Sequence, residues 1–515
     1  MSPFLSARNA SLRWTAFVWI AAFASAQDFT GSKACAGCHR EIFERYRGTP
    51  MALTSGVPEK SMWPSGEVAH YRMEGELTFD FSREQAKGER KAAYFIGSGA
   101  AARSFLWQTR GFLFQLPVTW YAAQGWGLSP GYENGATLQL ARPIEPECLG
   151  CHTSRVKAIA GTVNGYEWPP ANEPGIGCER CHGGGSEHIR RAGRGGIVNP
   201  VKLPPLRRDG VCAQCHLTGV ERVAFAGRDP SAFRPGEDFH TYATAFVWND
   251  ASANPVHVAS HFERLATSGC AKAAGEKLWC GSCHDSHSIP PPAERAAFYR
   301  KKCLACHTAL EPAKRDQDCR ACHMPSVRAA DAKGAFFTDH SIPRRPGAVP
   351  ESRSRGLRAF RGQAAPREAG IAWARIAHQS QIAEDYERAL SLLREAYSAG
   401  ARDPAMLTTL AFLEDRAGGE DRALPLYELV QQTDPSQTEA LVNLGAIYAK
   451  RGRYTDAGRV WNEAVKRSPG LEAACVKLAT LHLATERKTE SRATAQSCLE
   501  FHPDSPALRE ILSAR

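Results

Sequence analysis

Apolar positions follow three different patterns along this chain, and each predicts a different kind of structure. The first is WTAFVWIAAF, a run of ten from Trp14 to Phe23, preceded by Arg8 and Arg13 without an acidic residue and followed by Ala24-Ser25-Ala26. That order predicts a cleaved secretory leader over residues 1–26, since ten residues fall short of the roughly 20 that span a bilayer. The second pattern runs over about 67–130, where KAAYFIGSGAAARSFLWQTRGFLFQLPVTWYAAQGW is dense in aromatic and β-branched residues and broken by glycine. It predicts short strands and hairpins, with Trp107, Trp120, Tyr121 and Trp126 as packing residues. The third pattern is a period: Ala389, Ala423, Ala457 and Ser491 are each 34 residues apart.

The best copy of that period, LGAIYAKRGRYTDAGRVWNEAVKRSP, places Leu444, Gly445, Tyr448, Gly452, Tyr454, Ala457, Trp461, Ala464 and Pro469 where the tetratricopeptide repeat has its signature residues, and it resembles that repeat. Residues 369–515 should then form about four helix-turn-helix units, starting near Gly370, Pro404, Thr438 and Glu472, with SPALREIL as a capping helix. Cys475 and Cys498 fall on core slots and read as small buried apolar residues; a disulfide between them is the alternative. Residues 344–368, with seven arginines and prolines at 346, 350 and 366, read as a solvated linker, or as an ordered wrap over the preceding region.

Residues 27–343 carry the chemistry. CxxCH occurs at Cys35-Cys38-His39, Cys148-Cys151-His152, Cys178-Cys181-His182, Cys212-Cys215-His216, Cys280-Cys283-His284, Cys303-Cys306-His307 and Cys319-Cys322-His323. With 17 Cys and 17 His in 515 residues, chance supplies about 0.02 such motifs, so the haem attachment pattern is deliberate. Two thiols two residues apart can form thioethers with the vinyl groups of one haem, and the next residue then lies over the iron as its proximal ligand. A zinc or iron–sulfur site does not explain a histidine after every second cysteine. A disulfide framework fits no better. Seven covalently attached haems c are therefore expected, and the fold class is mainly α: a haem-packed multihaem cytochrome c domain with a short β-rich insert, then an α-solenoid.

Charge adds little once the cofactors are counted. The formal net charge is +10, but leader loss and the haem propionates bring it to about +1 with ferric haems and about −6 with ferrous ones, which leaves nucleic-acid binding without support. Apart from the leader no long apolar segment occurs, so no transmembrane segment is expected in the mature chain.

The second axial position of each iron decides between electron transfer and catalysis. Seven further histidines lie in the region: His188, His287, His340, His261, His70, His240 and His257. His188, beyond the Gly183-Gly184-Gly185 turn of CERCHGGGSEH, is expected to serve a neighbouring iron, as is His287 in CGSCHDSH. His257 and His261 are four apart and can share a helix face; Met51 is an additional candidate. Cys270 belongs to no motif.

The order CERCHG…H, CGSCHDSH, CLACH, CRACHMP and FTDHSIP resembles the periplasmic multihaem cytochromes c related to the tetrahaem cytochrome of ammonia oxidisers and to hydroxylamine oxidoreductase, over roughly residues 30–345. The resemblance implies a periplasmic protein; the equal counts of haems and further histidines favour electron transfer, and the repeats are expected to dock redox partner proteins. Two departures limit it: no proximal lysine replaces a histidine, and no counterpart of the oxidoreductase's cross-linking tyrosine is recognisable. The alternatives are an oxidoreductase acting on a small nitrogen or sulfur compound at one five-coordinate haem, and a repeat-based scaffold for a redox complex.

Overall fold

The computed structural model describes residues 29–132, 137–138, 140–250, 254–309, 318–344 and 356–514. The leader expected over 1–26 lies outside them. Among the described residues no helix is long and apolar enough to cross a membrane.

The aromatic stretch folds into two antiparallel sheets. Gly66–Val68, Tyr71–Glu74, Thr78–Arg83 and Ala86–Lys91 pair in sequence order. Period-2 patterning sets their face: Tyr71, Met73, Phe79 and Phe81 are buried while Arg72 and Glu74 are exposed, as strand geometry requires. The second sheet runs in the order Ser55–Gly56, Tyr94–Ile96, Ala102–Thr109, Phe112–Tyr121, Gly125–Leu128. Its central hairpin turns at Arg110-Gly111, both with positive φ, at 50° and 85°; such a two-residue turn matches the twist of the flanking strands. Trp107 and Tyr121 are buried, and Trp120 meets Trp126 edge to face at 5.5 Å.

Strands also occur where a mainly α region was expected. Thr153–Ala158 pairs with Tyr166–Pro174, Ser326–Arg328 with Phe336–Thr338, and Glu221–Ala224 with Ala243–Trp248. The cause is the brevity of the helices that carry the cysteines, such as Glu179–His182, Cys280–Cys283 and Cys319–His323. One helical turn leaves most of its backbone groups unpaired, and the intervening chain satisfies its own by sheet pairing. The 344–368 segment contributes a strand too: Leu357–Ala359 extends the sheet through Ala243–Trp248.

From Pro366 the chain is helical: Pro366–Ser380 and Ala383–Ser398, Pro404–Arg416 and Glu420–Thr433, Thr438–Lys450 and Tyr454–Arg467, Glu472–Ala484 and Lys488–Leu499, then Pro506–Ser513. Three of the four pairs begin on the residue that the 34-residue frame gives. The first begins four residues early, because Pro366 is already set for the first helical position. The periodic residues Ala389, Ala423, Ala457 and Ser491 are fully buried. Ser491 fits because its hydroxyl donates to the Ala479 carbonyl at 2.8 Å. Gly445 is needed for close approach: a Cβ there would lie 2.3 Å from the Trp461 indole nitrogen.

Cys475 and Cys498 are not merely small buried residues; they form a disulfide, with Cα atoms 6.1 Å apart, that links the two helices of the last pair. A bond closing a loop over a separation of 23 residues contributes about 3 kcal/mol by restricting the unfolded chain. The Cys475→Ala/Cys498→Ala variant is accordingly expected to unfold at lower denaturant, with a loss of that order in the unfolding free energy. An unchanged midpoint contradicts the assignment.

Candidate functional site

The residues between the paired cysteines dock one CxxCH motif on the next. In the third motif Glu179 is buried and its carboxylate accepts from the amides of Thr30 at 2.9 Å, Gly31 at 2.8 Å and Gly185 at 2.7 Å. One side chain thus ties the start of the first motif to the glycine turn after the third. Ser32 reinforces the tie by accepting from the Cys178 amide at 2.9 Å. Arg180 donates to the Gly150 carbonyl at 2.9 Å, reaching the second motif. Gln214 of the fourth donates to the Arg180 carbonyl at 3.2 Å. Sequence reasoning missed these roles, since attachment chemistry places no demand on the two middle residues.

The thiols repeat the tie between the first and third motifs and add further neighbours. Cys35 and Cys178, Cys151 and Cys215, Cys212 and Cys280, and Cys303 and Cys319 lie close enough to perturb each other's ionisation. The first motif therefore neighbours the third, the fourth touches both the second and the fifth, and the sixth neighbours the seventh.

Four motif histidines face a histidine from elsewhere. His39 and His188 have ring centroids 6.3 Å apart with planes 13° from parallel, and His182 and His287 are at 5.9 Å and 15°. His284 and His340 are at 6.1 Å and 29°, and His216 meets His261 edge-on at 5.2 Å. His261 and His340 also touch, at 4.8 Å, so the fourth and fifth motifs are joined by a run of four imidazoles. The turn that presents His188 passes through Gly183 at φ 75°, a conformation glycine adopts without strain.

Backbone carbonyls hold many of these rings by Nδ1: Val198 holds His182 at 2.8 Å, Gly195 holds His188 at 2.7 Å, Thr338 holds His340 at 2.9 Å, Pro343 holds His323 at 2.9 Å and Gly219 holds His257 at 3.0 Å. His152 is held the same way by the Thr54 hydroxyl at 2.7 Å. When Nδ1 donates its proton to such an acceptor, Nε2 keeps its lone pair for a metal, the usual arrangement around ligating histidines. Burial pushes several imidazoles down, His152 and His284 to about 4 and His261 to about 3, with His216, His287 and His340 shifted the same way. At neutral pH these rings are uncharged, the form that binds a metal.

The remaining candidates are placed elsewhere. His70 lies beside Tyr71 in the insert, and His240 packs against Phe239 on a short turn capped by Asp238. The carbonyl of Met51 accepts from the Ile176 amide. Among the described residues none of these three, nor His257, stacks on a motif histidine. Tyr46 and Tyr299, which the sequence did not single out, stand edge-on to His287 and His284.

These residues fit haem c. Two imidazoles bound to one metal through bonds of about 2 Å have ring centroids roughly 6 Å apart, as three of the pairs do. Ordinary hydrophobic core is also scarce here: from 254 to 344 the buried apolar residues among those described are Ala329, Ala332 and Ala335, and the helix Arg295–Leu304, which carries Cys303, buries none of its side chains. Such a chain needs another apolar mass to pack against, and a porphyrin supplies one.

Comparison with known proteins agrees over a limited stretch. The family model for cytochrome c554 and c-prime matches residues 131–183, which hold the second and third motifs, so this stretch is cytochrome c-like and the cofactor it implies is haem c. Among curated proteins, a photosystem I assembly protein Ycf3 of Prochlorococcus marinus is 32% identical over 105 residues, 18% of this chain and 58% of that protein. The human protein O-mannosyl-transferase TMTC1 is 26% identical over 118 residues, 22% of this chain and 13% of that protein. The chain thus spans under two thirds of the length of either. Among solved structures, MamA AMB-1 covers 29% of this chain and 84% of its own at 20% identity and a TM-score of 0.26. A tetratricopeptide repeat protein from Parabacteroides merdae covers 29% and 58% at 19% identity and a TM-score of 0.25.

Proposed function

We propose that this chain is an exported, periplasmic electron-transfer protein that binds seven haems c at its CxxCH motifs. Bound haem would supply a one-electron iron couple at each motif. The observation that carries the reading is the pairing of four motif histidines with four others: His39 with His188, His182 with His287, His216 with His261, and His284 with His340. Each pair would occupy both axial positions of one iron, closing it to small molecules and leaving electron transfer as its chemistry. The chain's part is to aim the rings and to bring each pair together. The disulfide in the last helix pair suits an oxidising compartment. The helical repeats, a type of array that presents extended binding surfaces, suit contact with a protein partner.

A second reading has one support. Among the described residues, the rings of His152, His307 and His323 have no second imidazole stacked or edge-on against them. A haem at one of these motifs would depend on His257, His240, His70 or Met51 for its sixth ligand, or would stay open to a small nitrogen or sulfur compound. His257 is the best prepared, since its Nδ1 is already engaged.

Low-temperature paramagnetic resonance of the oxidised protein separates the readings. Electron transfer alone predicts low-spin signals throughout, and a stoichiometric high-spin signal with carbon monoxide binding after reduction favours the second. The pair assignment predicts that His188→Ala and His287→Ala each convert one haem equivalent per chain from low to high spin. A spectrum unchanged by both removes it.

A further inference from the structure

The helical array does not stand clear of the motif-bearing region. At its start, Arg367 donates to the Ala224 carbonyl at 2.9 Å while holding Asp403 through two bonds of 2.6 and 2.7 Å. Arg375 reaches the Arg222 carbonyl at 3.0 Å and Gln379 reaches Glu221 at 3.0 Å. Val223 and Phe246 belong to the same buried cluster as the first repeat. This end is fastened to the strand that follows the fourth motif.

The far end is fastened to the β-rich insert. Phe501 is 1% exposed and lies 5.2 Å from Phe114 and 6.0 Å from Trp107, ring to ring, inside the insert's core. Asp504, its side chain 7% exposed, accepts from Arg83 at 2.6 Å and from the Leu138 amide at 2.8 Å. Glu500 accepts from Thr109 at 2.7 Å and pairs with Arg110. Gly470 has no room for a side chain, since a Cβ would meet Phe114 at 2.7 Å. One helix pair earlier, Arg467 donates to the Gly161 carbonyl at 2.6 Å, and its own carbonyl accepts from the Val163 amide at 3.1 Å.

We infer that the array serves its own chain first, as a brace spanning from the strand after the fourth motif to the β-rich insert, and is not a free arm for outside proteins. Stacked repeats contact only their neighbours and behave as a semi-rigid bar. A bar fixed at both ends sets the distance between what it is fixed to. Phe501 completes the insert's core from outside, so parting the two would expose Trp107 and Phe114 together, a patch that folded proteins avoid. It would also strand the Asp504 carboxylate, and removing one partner of a buried pair is strongly destabilising. Outside proteins are left the faces that these contacts do not use. This inference does not rest on the electron-transfer reading.

Hydrogen exchange read by mass spectrometry on the full chain tests it. Asp504→Asn and Phe501→Ala are each expected to speed exchange about tenfold or more in Thr78–Arg83, Ala102–Thr109 and Phe112–Tyr121, none of which belongs to the array. Acceleration of those strands supports the brace, whether or not the helices follow. Acceleration confined to Lys488–Leu499 and Pro506–Ser513, with the strands unchanged, overturns it. If Phe501→Ala yields no folded protein, Asp504→Asn decides alone, because it keeps the side-chain shape and removes only the charge.

Discussion

An imidazole binds a metal through a nitrogen that carries no proton, a hydrogen bond from its other nitrogen fixes the ring's orientation, and two of them share one metal only at a separation set by bond length. Several histidines here have these features, although the Nδ1 atoms of His216 and His261 are buried without a hydrogen-bond partner. Burial keeps rings such as His261 and His284 unprotonated, and carbonyls such as those of Val198 and Gly195 hold Nδ1. Short turns deliver His188, His287 and His340 to within 5.9–6.3 Å of a motif ring. At five of the seven motifs a helix of four or five residues presents the cysteines, while the fourth and sixth motifs lie on the longer helices Pro205–His216 and Arg295–Leu304; small sheets pair much of the backbone between.

The two halves of the molecule reach stability by different routes. The insert and the array bury aromatic and aliphatic side chains in the ordinary way, with Phe79, Phe105 and Phe114 on one side and Tyr427, Leu444 and Leu478 on the other. The stretch with the fifth to seventh motifs buries almost no apolar side chain among its described residues. The conventional cores lie beside the motif region as supports, and Phe501 joins one to the other.

The 34-residue frame located the helical pairs almost to the residue, because each repeat contacts only its neighbours and so writes its packing into local sequence. The density of aromatic and β-branched residues broken by glycine, also a local signal, found the strands of the insert. The strands at Thr153–Ala158, Ser326–Arg328 and Leu357–Ala359 carried no such signal: they are short, and they exist because a distant segment needed a partner. The arginine-rich 344–368 segment reads in isolation as a solvated linker or an ordered wrap, and among its described residues Leu357–Ala359 joins a sheet and Arg367 is buried between Asp403 and Ala224. Similarly, the sequence marked Cys475 and Cys498 as core positions, but only helix packing brought their sulfurs together.

By itself, the sequence determined where thiols and histidines adequate for haem attachment occur, because thioether geometry forces the two thiols and the ligand into one contiguous pentapeptide. It also supplied the pool of second histidines. Which of them meets which motif was decided by tertiary structure, since His287 lies more than a hundred residues from His182 and their approach depends on every turn between. The same holds for Glu179, Arg180 and Gln214, whose contacts span the gaps between motifs, and for Asp504 and Phe501, whose partners lie near the other end of the chain. Covalent chemistry is local and can be read along the chain, whereas burial and pairing arise only when distant segments are brought together.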